Sequence, residues 1–280
     1  MSHLARPEPL PAVAAGATLN RRLTVLLVGV AALAAGCGLL RPQPPAPLTA
    51  SAEVPPRFAV PTTRERMVAL ALQEWSLFGS PRAHFSVDGS IALQFSPATR
   101  ATHELQPPML ARVFVYWYGT SRVPIVGRAG ELRPWSAAFV SWLVRAAVLG
   151  GDVFPATLLH WDYIERFLDA RADDLFATRD PAGHPPRVGD LVCNARDDGR
   201  PAWLGRVEGF GQLRRGPYHC EIVVATQPGS IDTIGGNVGD VVAMTRLATD
   251  AHGRLLPHPQ RRWAAVLELR DPADSPSWIP

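Results

Sequence analysis

Ser136 is the residue to weigh first for chemistry. It stands in Pro134-Trp135-Ser136-Ala137-Ala138-Phe139-Val140-Ser141-Trp142-Leu143, where a proline suits a helix entrance, apolar residues fill several faces and Gly150-Gly151 ends the run. A hydroxyl in the first turn of a buried helix lies beside unpaired amide N–H groups and the positive end of the helix dipole. An alkoxide or an oxyanion is best tolerated there. The same position also suits a serine that only caps the helix. Both readings stay open on the sequence.

Other polar residues are candidates by type. His160 and Tyr163 stand three apart in Leu158 to Leu168, which has helical period with Ile164, Phe167 and Leu168 on its apolar side. A metal site through Cys193, Cys220, His160 and His219 is disfavoured, because His219 and Cys220 are adjacent in a strand-like run and point to opposite faces. No metal and no cofactor is expected. Gly235-Gly236-Asn237-Val238-Gly239 lacks dinucleotide-fingerprint spacing and reads as a hairpin turn.

The elements that must position these residues follow from periodicity. Thr62 and Glu65 have capping-box spacing, and Val68, Ala71, Leu72, Trp75 and Phe78 recur with helical period. Ser86 to Phe95 is either strand or loop around Asp88-Gly89. Leu110, Val113, Phe114 and Trp117 repeat the helical pattern, with Tyr116 and its neighbours read as core. After Pro185-Pro186 the chain changes to short runs rich in branched residues: Val188 to Cys193, His219 to Ala225, Ile231 to Ile234, Val241 to Leu247 and Trp263 to Leu269. Helices first and antiparallel strands afterwards predict an α+β fold. The excursion from Arg196 to Pro217 is long enough to form the rim of a site.

Composition sets limits. The 280 residues are 47% hydrophobic, enough for one domain of moderate size plus tails. The net charge of +3 comes from arginine alone, since the chain has no lysine, and the arginines are dispersed rather than striped. Nucleic-acid binding is poorly supported, and a lysine Schiff base and a Gly-Lys-Ser/Thr phosphate loop are excluded.

The N-terminus reads as a targeting segment. Arg21-Arg22 lead into the apolar run Leu23 to Leu33 and then Ala34-Ala35-Gly36-Cys37. This resembles bacterial lipoprotein signal peptides, with residues 1–37 as the signal and Cys37 as the acylated N-terminus. The resemblance implies an outer-membrane lipoprotein facing the periplasm, held by a lipid anchor. The competing reading, a membrane span from Leu23 to Leu39, is about 17 residues long, the bottom of the spanning range. Residues 38–60, with Arg41-Pro42-Gln43-Pro44-Pro45-Ala46-Pro47, read as an extended tether, and residues 61–280 as the folded domain.

The order of motifs carries a second resemblance. A buried helix opening at Ser136, then Gly189-Asp190-Leu191-Val192-Cys193, then His219-Cys220-Glu221-Ile222-Val223, then Gly235-Gly236-Asn237-Val238, is similar to papain-like cell-wall hydrolases of the NlpC and CHAP type. Within them it looks closest to an uncharacterised bacterial family. The resemblance implies N-terminal helices packed on a small antiparallel sheet, with a hydrolase-like core over about 134–247. It puts Ser136 where those enzymes carry a nucleophilic cysteine, His219 at the base, and Asn237 at the group orienting it. Strand alternation places Glu221 on the face of His219, which makes it the other candidate for orienting the ring. Trp135, His160, Tyr163 and Arg196 are the expected substrate-binding residues. A serine must lose its proton during attack, so such a site needs a close base and good oxyanion donors.

Two functions from different classes follow. The first is hydrolysis of amide bonds in peptidoglycan or a related peptide; the second is an inactive relative that binds peptidoglycan or a protein partner through the same cleft. With Cys37 acylated, Cys193 and Cys220 remain as a pair in an oxidising compartment. The resemblance makes their strands neighbours, and a disulfide is expected, with two buried free thiols as the alternative.

Overall fold

The computed structural model describes residues 60–86, 88–99, 101–148, 153–196 and 206–270. The chain divides into two units, Met1–Phe58 and Ala59–Pro280, and the described residues all belong to the second. The readings of Cys37, the signal and nearly all of the tether lie outside the described residues. Among the described residues no helix is long and apolar enough to cross a membrane.

The fold is α+β, with four helices and one eight-stranded sheet among the described residues. Helix α1 spans Thr63–Leu77, α2 Pro107–Tyr118, α3 Ser136–Ala147 and α4 His160–Arg166. The strands are β1 Arg82–Phe85, β2 Ile91–Gln94, β3 Phe176–Arg179, β4 Leu191–Ala195, β5 Tyr218–Gln227, β6 Ser230–Gly235, β7 Ala243–Ala248 and β8 Arg262–Leu269. They run in the order β2-β1-β7-β6-β5-β4-β8-β3, antiparallel throughout except where β1 lies parallel to β7.

This corrects the expected layout in two ways. The sheet is larger than a small antiparallel meander, and the helices do not all precede it. The segment left open between strand and loop, Ser86 to Phe95, holds the turn at Asp88-Gly89 and β2; with β1, absent from the sequence reading, it forms a hairpin that sits between α1 and α2 in sequence while closing one edge of the sheet. Strand β3, absent from the sequence reading, closes the other edge against β8.

Helix α1 begins as its sequence requires: the Thr62 hydroxyl accepts from the Glu65 amide at 3.1 Å, and the Glu65 carboxylate accepts from the Thr62 amide at 2.7 Å. Its buried stripe differs from the expected one. Met67, Ala71 and Glu74 face inward, with Phe78 just beyond the helix, whereas Leu72 is 37% exposed. A carboxylate fits there because the Arg112 Nε donates to it at 2.9 Å and the Tyr116 hydroxyl donates to it as well. Tyr116 is fully buried, as its place in the aromatic run predicts.

The main core lies between the helices and one sheet face, which carries Leu191, Cys193, Cys220, Ile222 and Ile234. The other face holds a smaller cluster of Val192, Val223, Ile231 and Leu247. Cys193 and Cys220 are register partners on β4 and β5 and are joined as a disulfide, the expected pairing.

Candidate functional site

Ser136 is the first residue of α3, and the N-cap position falls to Trp135, whose side chain caps nothing. The capping reading of Ser136 therefore fails, and its hydroxyl is used elsewhere. It lies 2.6 Å from His160 Nε2, on a residue only 6% exposed. His160 opens α4, and its Nδ1 is hydrogen-bonded to the Tyr163 hydroxyl one turn along the same helix. Three residues that the sequence offered separately thus form one chain: Ser136, His160, Tyr163.

His219 belongs to a second group. It follows Tyr218 at the start of β5, directly across from Asn194 of β4 and next to the disulfide. Alternation along β5 puts Glu221 on its face, and Glu221 Oε1 lies 3.2 Å from His219 Nε2. The same carboxylate takes Arg261 Nη2 at 2.8 Å and the Thr233 hydroxyl. Arg261 is 4% exposed and is held between Glu221 and the Phe85 ring, with its guanidinium carbon 4.0 Å from the ring centre. The two groups touch where the His160 and His219 rings meet at 5.6 Å in edge geometry.

The electrostatics of the second group fix its protons. Burial pushes the Glu221 pKa up, but Arg261 and His219 together outweigh it and hold Glu221 well below the usual carboxylate range. An ionised carboxylate only accepts, so His219 Nε2 must carry the proton in their bond. Burial lowers the His219 pKa against the opposing pull of Glu221, so the ring is neutral. Its Nδ1 then bears a lone pair, and this atom is buried without a hydrogen-bond partner among the described residues. A neutral imidazole with one nitrogen bound to a carboxylate and the other bare is what a proton acceptor needs.

Close packing sets this group against α3. A Cβ added to Gly235 would stand 2.7 Å from Glu221 Cγ and 3.1 Å from His219 Nε2. One added to Gly236 would stand 2.6 Å from Phe139 Cβ and 2.8 Å from a ring carbon of Trp135. The pair read as a hairpin turn is thus the place where the end of β6 touches both the His219 pair and the Ser136 helix. Asn237 follows in the left-handed region at φ 57°, a conformation asparagine tolerates better than most residues.

A cavity of about 310 Å³ opens beside His219. Asn194, Arg196, Asn237, Gln260 and Arg261 supply polar groups to its wall, and Phe85 and Ile91 of the β1–β2 hairpin supply apolar ones. Of the expected binding residues only Arg196 lines it. Trp135 is fully buried, its indole donating to Glu104 at 2.6 Å and its ring packing on Phe78, Tyr116 and Phe139. Tyr163 is likewise fully buried, and Ser136 is not part of the cavity wall. Sequence reasoning did not single out Arg261, Thr233 or Asn194: the first two bond to Glu221 from distant parts of the chain, and Asn194 stands beside His219 only through the β4–β5 register. Among the described residues no group of three or more His, Cys, Asp or Glu side chains is placed to hold a metal ion.

Neither the curated proteins nor the solved structures compared with the chain gave a match. Residues 119–269, more than half of the 280, match a family described as an uncharacterised protein conserved in bacteria, DUF2272. That stretch contains α3, α4 and six of the eight strands, with Ser136, His160, His219, Glu221 and Asn237 among them. The chain therefore belongs to the DUF2272 family.

Proposed function

We propose that the domain hydrolyses amide bonds of peptidoglycan or a related peptide, with Ser136 as nucleophile, His219 as base, Glu221 orienting the imidazole and Asn237 offering a polar group at the cavity wall. The observation that carries this reading is the His219 ring, buried and neutral, with Nε2 committed to Glu221 and Nδ1 left without a partner among the described residues. A buried nitrogen without a hydrogen bond costs about 1–3 kcal/mol, and a catalytic role is one reason for a fold to carry that cost. The order of a nucleophile-bearing helix, a His-bearing strand and a following polar residue supports placing the fold with the papain-like hydrolases of the NlpC and CHAP type.

In this reaction Ser136 Oγ bonds to the substrate carbonyl carbon while its proton passes to His219 Nδ1. His219 then gives that proton to the leaving nitrogen as the C–N bond breaks, and water, deprotonated through the same ring, hydrolyses the resulting ester. The first amides of α3 are the expected oxyanion donors. Incubation of the domain with purified cell-wall fragments, with products read by mass, should release peptides. Ser136→Cys should retain or gain activity, because a thiol ionises beside an imidazole with less help. No product from either protein would sink the reading.

One observation favours the second reading, a binding module. Ser136 is bonded to His160 rather than to His219, and it lies outside the cavity wall. Sedimentation of the domain with peptidoglycan without product release would decide for it. The envelope location belongs to the same proposal, since an Arg-flanked apolar run ending in Ala-Ala-Gly-Cys supports lipidation of Cys37. Cys37→Ser should release the protein from washed membranes.

A further inference from the structure

Tyr163 is fully buried, and its hydroxyl is hydrogen-bonded to His160 Nδ1, the one partner it has among the described residues. A phenol has a single proton to donate, and burying that proton without an acceptor costs about 1–3 kcal/mol. The phenol therefore donates to Nδ1, which must present its lone pair. Burial holds the His160 pKa well below its ordinary value, with the neighbouring His219 and Arg196 acting in the same direction, so the ring is neutral. A neutral imidazole whose Nδ1 accepts carries its proton on Nε2, and that nitrogen lies 2.6 Å from Ser136 Oγ.

We infer that Tyr163 fixes His160 as an N–H donor to Ser136, so that His160 is not the base of the site and the proton acceptor is His219 Nδ1. The direction of the hydrogen bond stands by itself, while its catalytic meaning rests on the hydrolase reading. Two neighbouring histidines then divide the work. His160 stabilises charge developing on Oγ, and because Oγ already accepts from His160, the Ser136 proton is free to turn toward another acceptor. Tyr163 touches none of the reacting atoms; it is a positioning residue acting through His160.

The decisive experiment reads the ring nitrogens of the ¹⁵N-labelled protein by NMR at neutral pH without substrate, where a protonated and a bare nitrogen have well-separated shifts. Both His160 and His219 should carry the proton on Nε2. In Tyr163→Phe, His160 should lose that single tautomer while the His219 pattern stays. Activity on cell-wall peptides supplies an independent readout: His160→Gln, which keeps an N–H donor, should stay within about tenfold of the parent, whereas His160→Leu should fall about a hundredfold or more. A proton on His160 Nδ1 in the parent protein would overturn the inference. So would equal activity of the Gln and Leu variants in a protein that hydrolyses. The expected tautomers in a protein that hydrolyses nothing would sink the hydrolase reading and leave the assigned hydrogen-bond direction intact.

Discussion

Glu74 and Glu221 are two of the buried carboxylates paired with an arginine, and they end differently. Glu74, on α1 facing α2, accepts from Arg112 at both oxygens and from the Tyr116 hydroxyl at one of them, and none of the three has a buried side-chain polar atom without a partner. Glu221, on β5, takes Arg261, Thr233 and His219, and the far nitrogen of His219 is left bare. The first network is complete and joins two helices. Among the described residues the second is complete except at that one buried atom, on a residue that lines a cavity. The satisfied network suits architecture; the one that leaves a single acceptor without a donor, beside a cavity, suits chemistry.

The sharpest way to break this contrast is to mutate both sides. Ser136→Ala and His219→Ala should each lower hydrolysis by about a thousandfold or more, and the double change should cost little beyond either, as expected of groups acting as one unit. Each should also lower stability by about 1–3 kcal/mol, because Ser136→Ala leaves the buried His160 Nε2–H without its acceptor and His219→Ala removes one partner of buried Glu221. A large loss of stability in His219→Ala with activity retained would invert the assignment.

On the architectural side, Glu74→Leu strands the Arg112 guanidinium and the Tyr116 hydroxyl. Stability should fall by about 3 kcal/mol, while hydrolysis per folded molecule is unchanged. Urea unfolding monitored by circular dichroism reads the first, and titrated active enzyme reads the second.

The disulfide bears on the site side alone. It clamps β4 to β5 beside His219 and closes a span of 27 residues, so Cys193→Ala with Cys220→Ala should cost about 3–4 kcal/mol by loop-closure entropy. Activity should fall only if the clamp also holds His219, which comparison of rates at a temperature where both proteins are folded will show.

The smallest effect is the pH dependence. His160 and His219 are neutral when folded and take up protons near pH 6.5 when unfolded. A lowered folded pKa means that protonation favours the unfolded chain, so stability should decline as pH falls below about 6.5, by up to about 1.4 kcal/mol per unit for each ring. Glu221 adds its own loss only below about pH 4.3, where the unfolded carboxylate binds protons. Replacing His160 with Gln should flatten the upper part of that decline; an unchanged slope would show that the ring is not held neutral.

Much of this was legible in the sequence where local chemistry decides. The capping box at Thr62, the period of α2, the buried helix at Ser136, most of the strands, and His219 with Glu221 on one strand face all follow from short-range patterns. What escaped depends on partners far along the chain. Glu74 breaks an apolar stripe because Arg112 lies 38 residues away, and Arg261 is 40 residues from Glu221. Strand β3 has four residues and one large apolar side chain, too little for a period. The link from Ser136 to His160 joins the first residues of two different helices, which no spacing rule encodes. Gly235-Gly236 was seen as a turn, but its reason, backbone laid against Phe139 and Glu221, exists only after α3 and the sheet have met.

The parallel pairing of β1 with β7 has a practical reach beyond the site. Arg82 pairs with Met244, so a strand made early in synthesis waits for a partner more than a hundred and fifty residues later. Contacts of that separation slow folding and leave β7 as an open edge until they form. A fragment cut to residues 119–269, the stretch shared with the family, would lack β1 and β2 and keep that edge permanently bare. Such a fragment is expected to aggregate by edge-to-edge strand addition, and expression should begin before Thr62.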